Sequence, residues 1–152
     1  MRRMTIPADV TIPADVALHH LALTVTDLDT SLAWYQETFG LSVVMEAPHP
    51  GGTGIVMANQ QRTLMIVLHR HDVNEGERFS ERRTGLDHAG FMVATREDLE
   101  KWQDHLEARG VTRSAQADGP LTQSPITDAP YGSVLVFRDP DNIQLEFFAP
   151  PR

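Results

Sequence analysis

Three side chains in this chain could together hold a divalent cation: His20, His88 and Glu146. Each falls in a short apolar run that reads as a β-strand, where successive side chains point to opposite faces. In Leu18–Val25 (LHHLALTV), His20, Ala22 and Thr24 share one face and Leu21, Leu23 and Val25 the other. In Leu86–Val93, His88, Gly90 and Met92 oppose Ala89, Phe91 and Val93. In Ile143–Phe148, Gln144, Glu146 and Phe148 oppose Ile143, Leu145 and Phe147. All three candidates are thus expected mid-strand, on the less bulky face. The glycine beside His88 is of the kind that marks close approach by a ligand or another backbone.

A carboxylate between Leu145 and Phe147 is costly to bury without a partner, and a cation offsets that cost. Two neutral imidazoles and one carboxylate are a recurring ligand set for iron, manganese, nickel or zinc, and they leave positions open for substrate. Any one of these residues alone reads better as a solvated or hydrogen-bonded side chain. Three at equivalent strand positions point to a metal. Glu146 could also act as a base if it loosened from the cation.

Other residues are weaker candidates. His69 and His71 share a face at the end of a strand, and an i, i+2 histidine pair can chelate, although strand-end histidines are more commonly solvated. His19 points away from His20, His49 falls in a loop and His105 on a helix. Tyr131, just before the penultimate strand, could hydrogen-bond a substrate. The chain contains no cysteine, which excludes disulfides, thiolate metal sites and cysteine nucleophiles.

The elements that must position these groups can be read from periodicity. After the first strand, Asp27 stands at an N-cap position. Leu28, Leu32, Tyr35 and Phe39 follow at helical spacing, and Gly40 ends the helix. Strands are expected over Leu41–Glu46, Ile55–Ala58 and Thr63–His69, with a turn-rich loop at Pro48–Gly54. The polar stretch Asp72–Gly85 reads as a linker or lid, and its Arg82 and Arg83 could meet an anionic substrate. The second half repeats the order. Thr95 and Asp98 form a capping box, and Leu99, Trp102 and Leu106 a helical stripe closed by Gly110. A weakly marked strand falls near Val111–Ala115, a loop over Pro120–Pro130, and strands over Gly132–Phe137 and Ile143–Phe148. Leu18, His20, Val25 and Trp34 match Leu86, His88, Val93 and Trp102, each 68 positions later, as an internal duplication would give. The chain therefore divides into an arm (1–16, carrying TIPADV twice), a first βαβββ module (17–71), a linker or lid (72–85) and a second βαβββ module (86–150).

Composition narrows the function classes. At 152 residues and 41% apolar, the chain can form a core without a metal or disulfide to staple it, burying roughly two-thirds of its unfolded surface. The net charge of −8 repels phosphate backbones, so nucleic acid is not an expected partner. No run approaches a membrane span, and the two N-terminal arginines lead into no apolar signal region. A cytoplasmic location is the expectation, which the lack of cysteine fits.

Three stretches resemble the vicinal oxygen chelate superfamily, the group that includes glyoxalases, bleomycin-resistance proteins and extradiol dioxygenases. They are LHHLALTVTDLDTSLAWYQETFGL, GLDHAGFMV and YGSVLVFRDPDNIQLEFF, the last being the most specific. The resemblance spans about Ala17 to Pro150. It implies an α+β fold in which two paired βαβββ modules form a curved, barrel-like sheet around a metal cleft. It implies one divalent ion (iron, nickel, zinc or manganese) on His20, His88 and Glu146, a small-molecule substrate bound through neighbouring oxygens, and a homodimer. Members often have a fourth ligand on the fourth strand. The register here puts Val67 at that place, and His69, two residues on, is the candidate replacement. The implied activities are a lyase or isomerase of glyoxalase type or an iron-dependent extradiol dioxygenase, for which His69 and Tyr131 are the candidate acid–base groups. A non-catalytic drug-binding protein is the third reading, although such members usually lack the triad.

Overall fold

The computed structural model describes residues 7–152. The first copy of the repeated TIPADV lies partly outside the described residues. From residue 7 to residue 20 the chain forms no helix or strand and is exposed.

The first module comprises β1 (Leu21–Thr24), α1 (Leu28–Phe39), β2 (Ser42–His49), β3 (Gly52–Ala58) and β4 (Met65–His71). Its sheet has the order β1-β4-β3-β2, with β1 parallel to β4 and the other pairs antiparallel. The second comprises β5 (Ala89–Met92), α2 (Arg96–Ala108), β6 (Thr112–Arg113), β7 (Thr122–Gln123), β8 (Thr127–Ala129), β9 (Gly132–Arg138) and β10 (Gln144–Ala149). Its sheet has the order β5-β10-β9-β7-β6, and β8 also pairs with β9. The fold is α+β with mixed sheets, and the two sheets do not close into a barrel. Neither helix is long and apolar enough to cross a membrane.

The 68-residue offset holds in three dimensions through the strand, the cap and the helix of each half. Asp27 caps α1 by accepting from the Thr30 N–H, and Thr95 caps α2 with a reciprocal box to Asp98. Gly40 closes α1 at φ 66°, the left-handed region that a side chain disfavours.

Several boundaries differ from the sequence reading. β1 and β5 start at Leu21 and Ala89, so His20 and His88 sit one residue before their strands and not in the middle of them. Both are edge strands with one neighbour each, and their ladders begin at Leu21↔Ile66 and Ala89↔Leu145. β2 runs on through Pro48, expected in a loop, because it too is an edge strand where proline's missing N–H breaks no ladder. The stretch expected as loop over Pro120–Pro130 contains β7 and β8, each too short to show a period of two.

One core serves both modules. Leu23, Ile66 and Leu68 on the first sheet and Leu135, Phe137, Leu145 and Phe147 on the second are all buried beneath the helices. Phe39 on α1 reaches across to Phe91 and Phe147, with ring centroids 5.1 and 5.8 Å away. Polar ties reinforce the joint. The buried Tyr35 hydroxyl of α1 donates to Asp139 at 2.8 Å. Thr26 donates through its N–H and hydroxyl to Asp141. Asp139 also accepts from the backbone N–H groups of Asp141 and Ile143, both at 2.8 Å. The segment after β4 is fastened to the same corner. The buried Arg138 pairs with Glu81 through two nitrogens and also donates to the Asn142 carbonyl and the Gln144 side chain. That guanidinium holds the Glu81 carboxyl down to about 2.

Two measurements follow from this joint. Burial pushes the Asp139 carboxyl up to about 7, against the pull of its hydrogen bonds from Ile143 and Tyr35. The folded state therefore keeps a proton that the unfolded chain releases near pH 4. Stability is expected to fall as pH rises from about 4 to about 7, seen as a declining urea midpoint, and Asp139→Asn is expected to flatten that part of the profile. Arg138→Met leaves Glu81 and two acceptors without their cation. It is expected to lower unfolding free energy by about 2–4 kcal/mol, measured by denaturant titration.

Candidate metal centre

The starts of β1 and β5 border one cleft, with one of the two equivalent histidines at each side. His20 and His88 both line a cavity of about 390 Å³, with Leu21, Met65, Gly90 and Phe91 among its walls. That volume suits a small metabolite. Among the described residues, no lysine or arginine lines it.

Each sheet has one face under a helix and one open face. Glu146 lies on the open face of β10, half-buried, paired in register with Gly90 of β5. Its neighbours Leu145 and Phe147 point the other way into the core, as the alternation requires. A Cβ on Gly90 would stand 3.8 Å from Glu146 Oε1, an ordinary contact distance. His88 Nε2 is 3.9 Å from Glu146 Oε2. Among the described residues, His88 is the one basic side chain within ion-pairing reach of Glu146.

The His88 ring is held from behind. Its Nδ1 lies 2.6 Å from Asp87 Oδ1, and the Gln144 amide donates to the same oxygen at 3.3 Å. With Nδ1 engaged, Nε2 is the atom turned toward Glu146, an arrangement common behind metal-binding histidines. Asp87 was not singled out from the sequence. Its signal was adjacency alone, an acid directly preceding a candidate ligand.

His20 stands apart from this pair. It is exposed, and its Nδ1 lies 2.8 Å from Nδ1 of His19. Among the described residues, no three histidine, aspartate or glutamate side chains converge on one point. A single chain thus brings His88 and Glu146 together and leaves His20 across the cleft, at the end of the exposed lead-in to β1.

The remaining candidates lie elsewhere. The register pairs Ala22 with Val67 as it pairs Gly90 with Glu146, so Val67 occupies the place in the first module that Glu146 holds in the second. His69 pairs with Thr24, farther along, and its ring contacts His49 and His71. Burial, together with the nearby charges of His49, His71 and His20, lowers the His69 pKa. Tyr131 is 66% exposed in the turn between β8 and β9 and does not line the cleft.

Comparisons with known proteins agree with this architecture. The family model of the Glyoxalase/Bleomycin resistance protein/Dioxygenase superfamily matches residues 17–147. The chain is similar to the uncharacterized protein PA2024 of Pseudomonas aeruginosa, 29% identical over 133 residues and 86% of each chain. It is also similar to the crystal structure of a glyoxylase/bleomycin resistance protein/dioxygenase domain from Frankia sp. EAN1pec. That match is 30% identical with a TM-score of 0.78, over 91% of this chain and 100% of the other. A mutant of the fosfomycin resistance protein FosX from Listeria monocytogenes, complexed with Mn(II) and 1S,2S-dihydroxypropylphosphonic acid, shares the fold. It is 21% identical with a TM-score of 0.64, over 91% and 93% of the two chains. With a strand, a helix and then further strands in each half, a cleft between the two first strands and a family match over most of its length, this chain belongs to the Glyoxalase/Bleomycin resistance protein/Dioxygenase superfamily.

Proposed function

We propose that this protein is a metal-dependent lyase or isomerase whose small substrate binds through neighbouring oxygens, with His20, His88 and Glu146 holding one divalent ion. The observation that carries this reading is the Glu146 carboxylate. It is fixed on a strand, half-buried, faced by glycine and met by His88 Nε2 at 3.9 Å. A carboxylate so placed gains from a cation, and two imidazoles with one carboxylate are a suitable donor set. When bound, the ion supplies Lewis acidity that polarises the substrate oxygens.

The chain's own residues have distinct tasks in this reading. Asp87 and Gln144 orient the His88 ring, so that Nε2 stays directed at the cleft. Glu146 can accept a proton at a carboxylate oxygen when it loosens its hold. Ala22 and Gly90, the small residues on the open faces, leave room for the substrate. Leu21 and Phe91 at the cleft wall exclude water. Among the described residues, no lysine or arginine lines the cavity beside His88, which favours an uncharged or weakly charged oxygenated substrate over a phosphonate of the kind bound in the FosX structure.

The dioxygenase reading is less well supported. It calls for an acid–base group beside the ligands, and neither residue considered for that task stands there. His69 turns to His49 and His71, and Tyr131 is remote from the cleft.

The partner in this reading is a second copy of the chain. The open faces carry exposed apolar side chains, among them Met45 at 55% and Met92 at 78% exposure. Pairing of the first module of one chain with the second module of another would cover them. It would also bring a His20 to a His88–Glu146 pair, accounting for the incomplete convergence within one chain.

Metal content of the purified protein is the primary test. After reconstitution with manganese, about one equivalent per chain is expected in the parent, falling at least tenfold in His88→Ala and in Glu146→Ala. No metal on reconstitution with any of the four ions would leave a binding module on the same fold. Chain exchange is tested by refolding His20→Ala and His88→Ala together. A site shared between chains gives a mixed dimer with one intact site of two, so metal binding returns in the mixture. A site within one chain gives none.

A further inference from the structure

The first sheet carries a second group of imidazoles that the proposed centre does not use. His49 ends β2, and His69 and His71 lie at the end of β4, with β3 between the two strands. The register sets His49 opposite Gly52, Gly52 opposite His71, and Gly54 opposite His69. The backbones of His49 and His71 are thus two strands apart, about 10 Å. Their rings nevertheless meet, with centroids 5.2 Å apart. His49 and His69 are also at 5.2 Å, and His69 and His71 at 6.1 Å.

The two glycines of β3 make this convergence possible. A Cβ on Gly52 would lie 2.7 Å from His49 Cε1, and one on Gly54 would lie 2.9 Å from His69 Nδ1 and Cε1. The rings occupy the space that β3 side chains would fill. Three imidazoles from two strands therefore gather over bare backbone, on the open face of the sheet.

Their nitrogens are disposed for coordination. His49 Nδ1 lies 3.2 Å from the Pro50 carbonyl, to which it donates, so His49 Nε2 is the acceptor in its hydrogen bond with His69 Nδ1, a bond that a cation would displace together with the His69 proton. That Nε2 stands 3.3 Å from His69 Nδ1. Two nitrogens bound to one tetrahedral zinc at 2.0–2.1 Å are separated by about 3.4 Å. As they stand, the three imidazoles do not converge on one point. A rotation of the His71 ring, 5.2 Å from His49, would supply the third nitrogen. We infer that His49, His69 and His71 form a site for a divalent transition cation of the zinc, nickel or copper class, completed by solvent and separate from His20, His88 and Glu146.

Zinc alone is the probe, titrated calorimetrically into the full chain carrying His88→Ala, which disables the other centre. One binding event is expected. His49→Ala in that background is expected to weaken it by about 100-fold or more, and His49→Ala with His71→Ala to abolish it. His49→Gln, which preserves size and a donor for the Pro50 carbonyl, is expected to weaken it equally and guards against a misfolded alanine variant. The proposal is overturned if His88→Ala binds no zinc at submillimolar concentration. It is also overturned if both His49 variants bind as tightly as their parent, since an isolated i, i+2 pair would then account for the event. Failure of the other centre reads differently, as metal content indifferent to His88→Ala.

Discussion

The buried carboxyl of Asp139 is the joint from which the rest of the molecule is set. It sits in the turn between the last two strands of the second module, yet one of its donors is the Tyr35 hydroxyl on the helix of the first. Hydrogen bonds from the Asp141 and Ile143 N–H groups hold the turn closed around it. A polar group at 0% exposure is tolerable only when its bonding capacity is met, and here that condition is met by both halves at once. The turn fixes where β10 begins, β10 fixes where Glu146 stands, and Tyr35 fixes α1 and its sheet relative to both. Arg138 and Glu81 extend the joint to the segment between the modules, which is thereby anchored at Phe79 and Glu81.

From that joint the cleft follows by register. β5 lies parallel to β10, and the pairing Gly90↔Glu146 sets the carboxylate beside a residue with no side chain. A shift of one residue would turn Glu146 into the core and Phe147 onto the open face. The parallel pairing of β1 with β4 gives the same geometry in the other half, with Ala22 beside Val67. The two halves are thus alike in backbone and unlike in chemistry. One presents a carboxylate where the other presents a buried methyl pair. The likeness extends to His20 and His88, each one residue before its strand, which is why the cleft between the two strand starts receives both.

How much of this was legible depended on whether the cause was local. The helices, their caps and the 68-residue repeat were readable because Asp27, Thr95, Asp98 and Gly40 act on backbone groups within a few residues of themselves. The alternation that separates Glu146 from Leu145 and Phe147 was readable for the same reason. The exact starts of β1 and β5 were not, because they depend on where the partner strand begins. β2 could not be followed through Pro48 without knowing that it lies at an edge. Arg138 belongs to the most recognisable motif in the chain, yet its partner Glu81 lies in a stretch that reads only as polar linker. Asp87 was adjacent to His88 and invisible in function until the ring orientation was known.

The histidines show the same limit from the other side. Sequence spacing placed His69 and His71 on one face of a strand, and offered His69 as a substitute for the ligand that Val67 cannot be. The structure separates those two ideas. His69 is on the face expected, but two residues farther along β4 than Val67, opposite Gly54, and its ring leans across that glycine to His49. Strand geometry allows no compromise here, because a step of two residues moves a side chain about 7 Å along the sheet while keeping its face. A histidine so displaced reaches the neighbouring strand more readily than it reaches back to the cleft. The first module therefore has valine at the carboxylate position of the repeat and gathers its donor groups at the far end of the same sheet, over Gly52 and Gly54, of which the second module reproduces only the first, as Gly132.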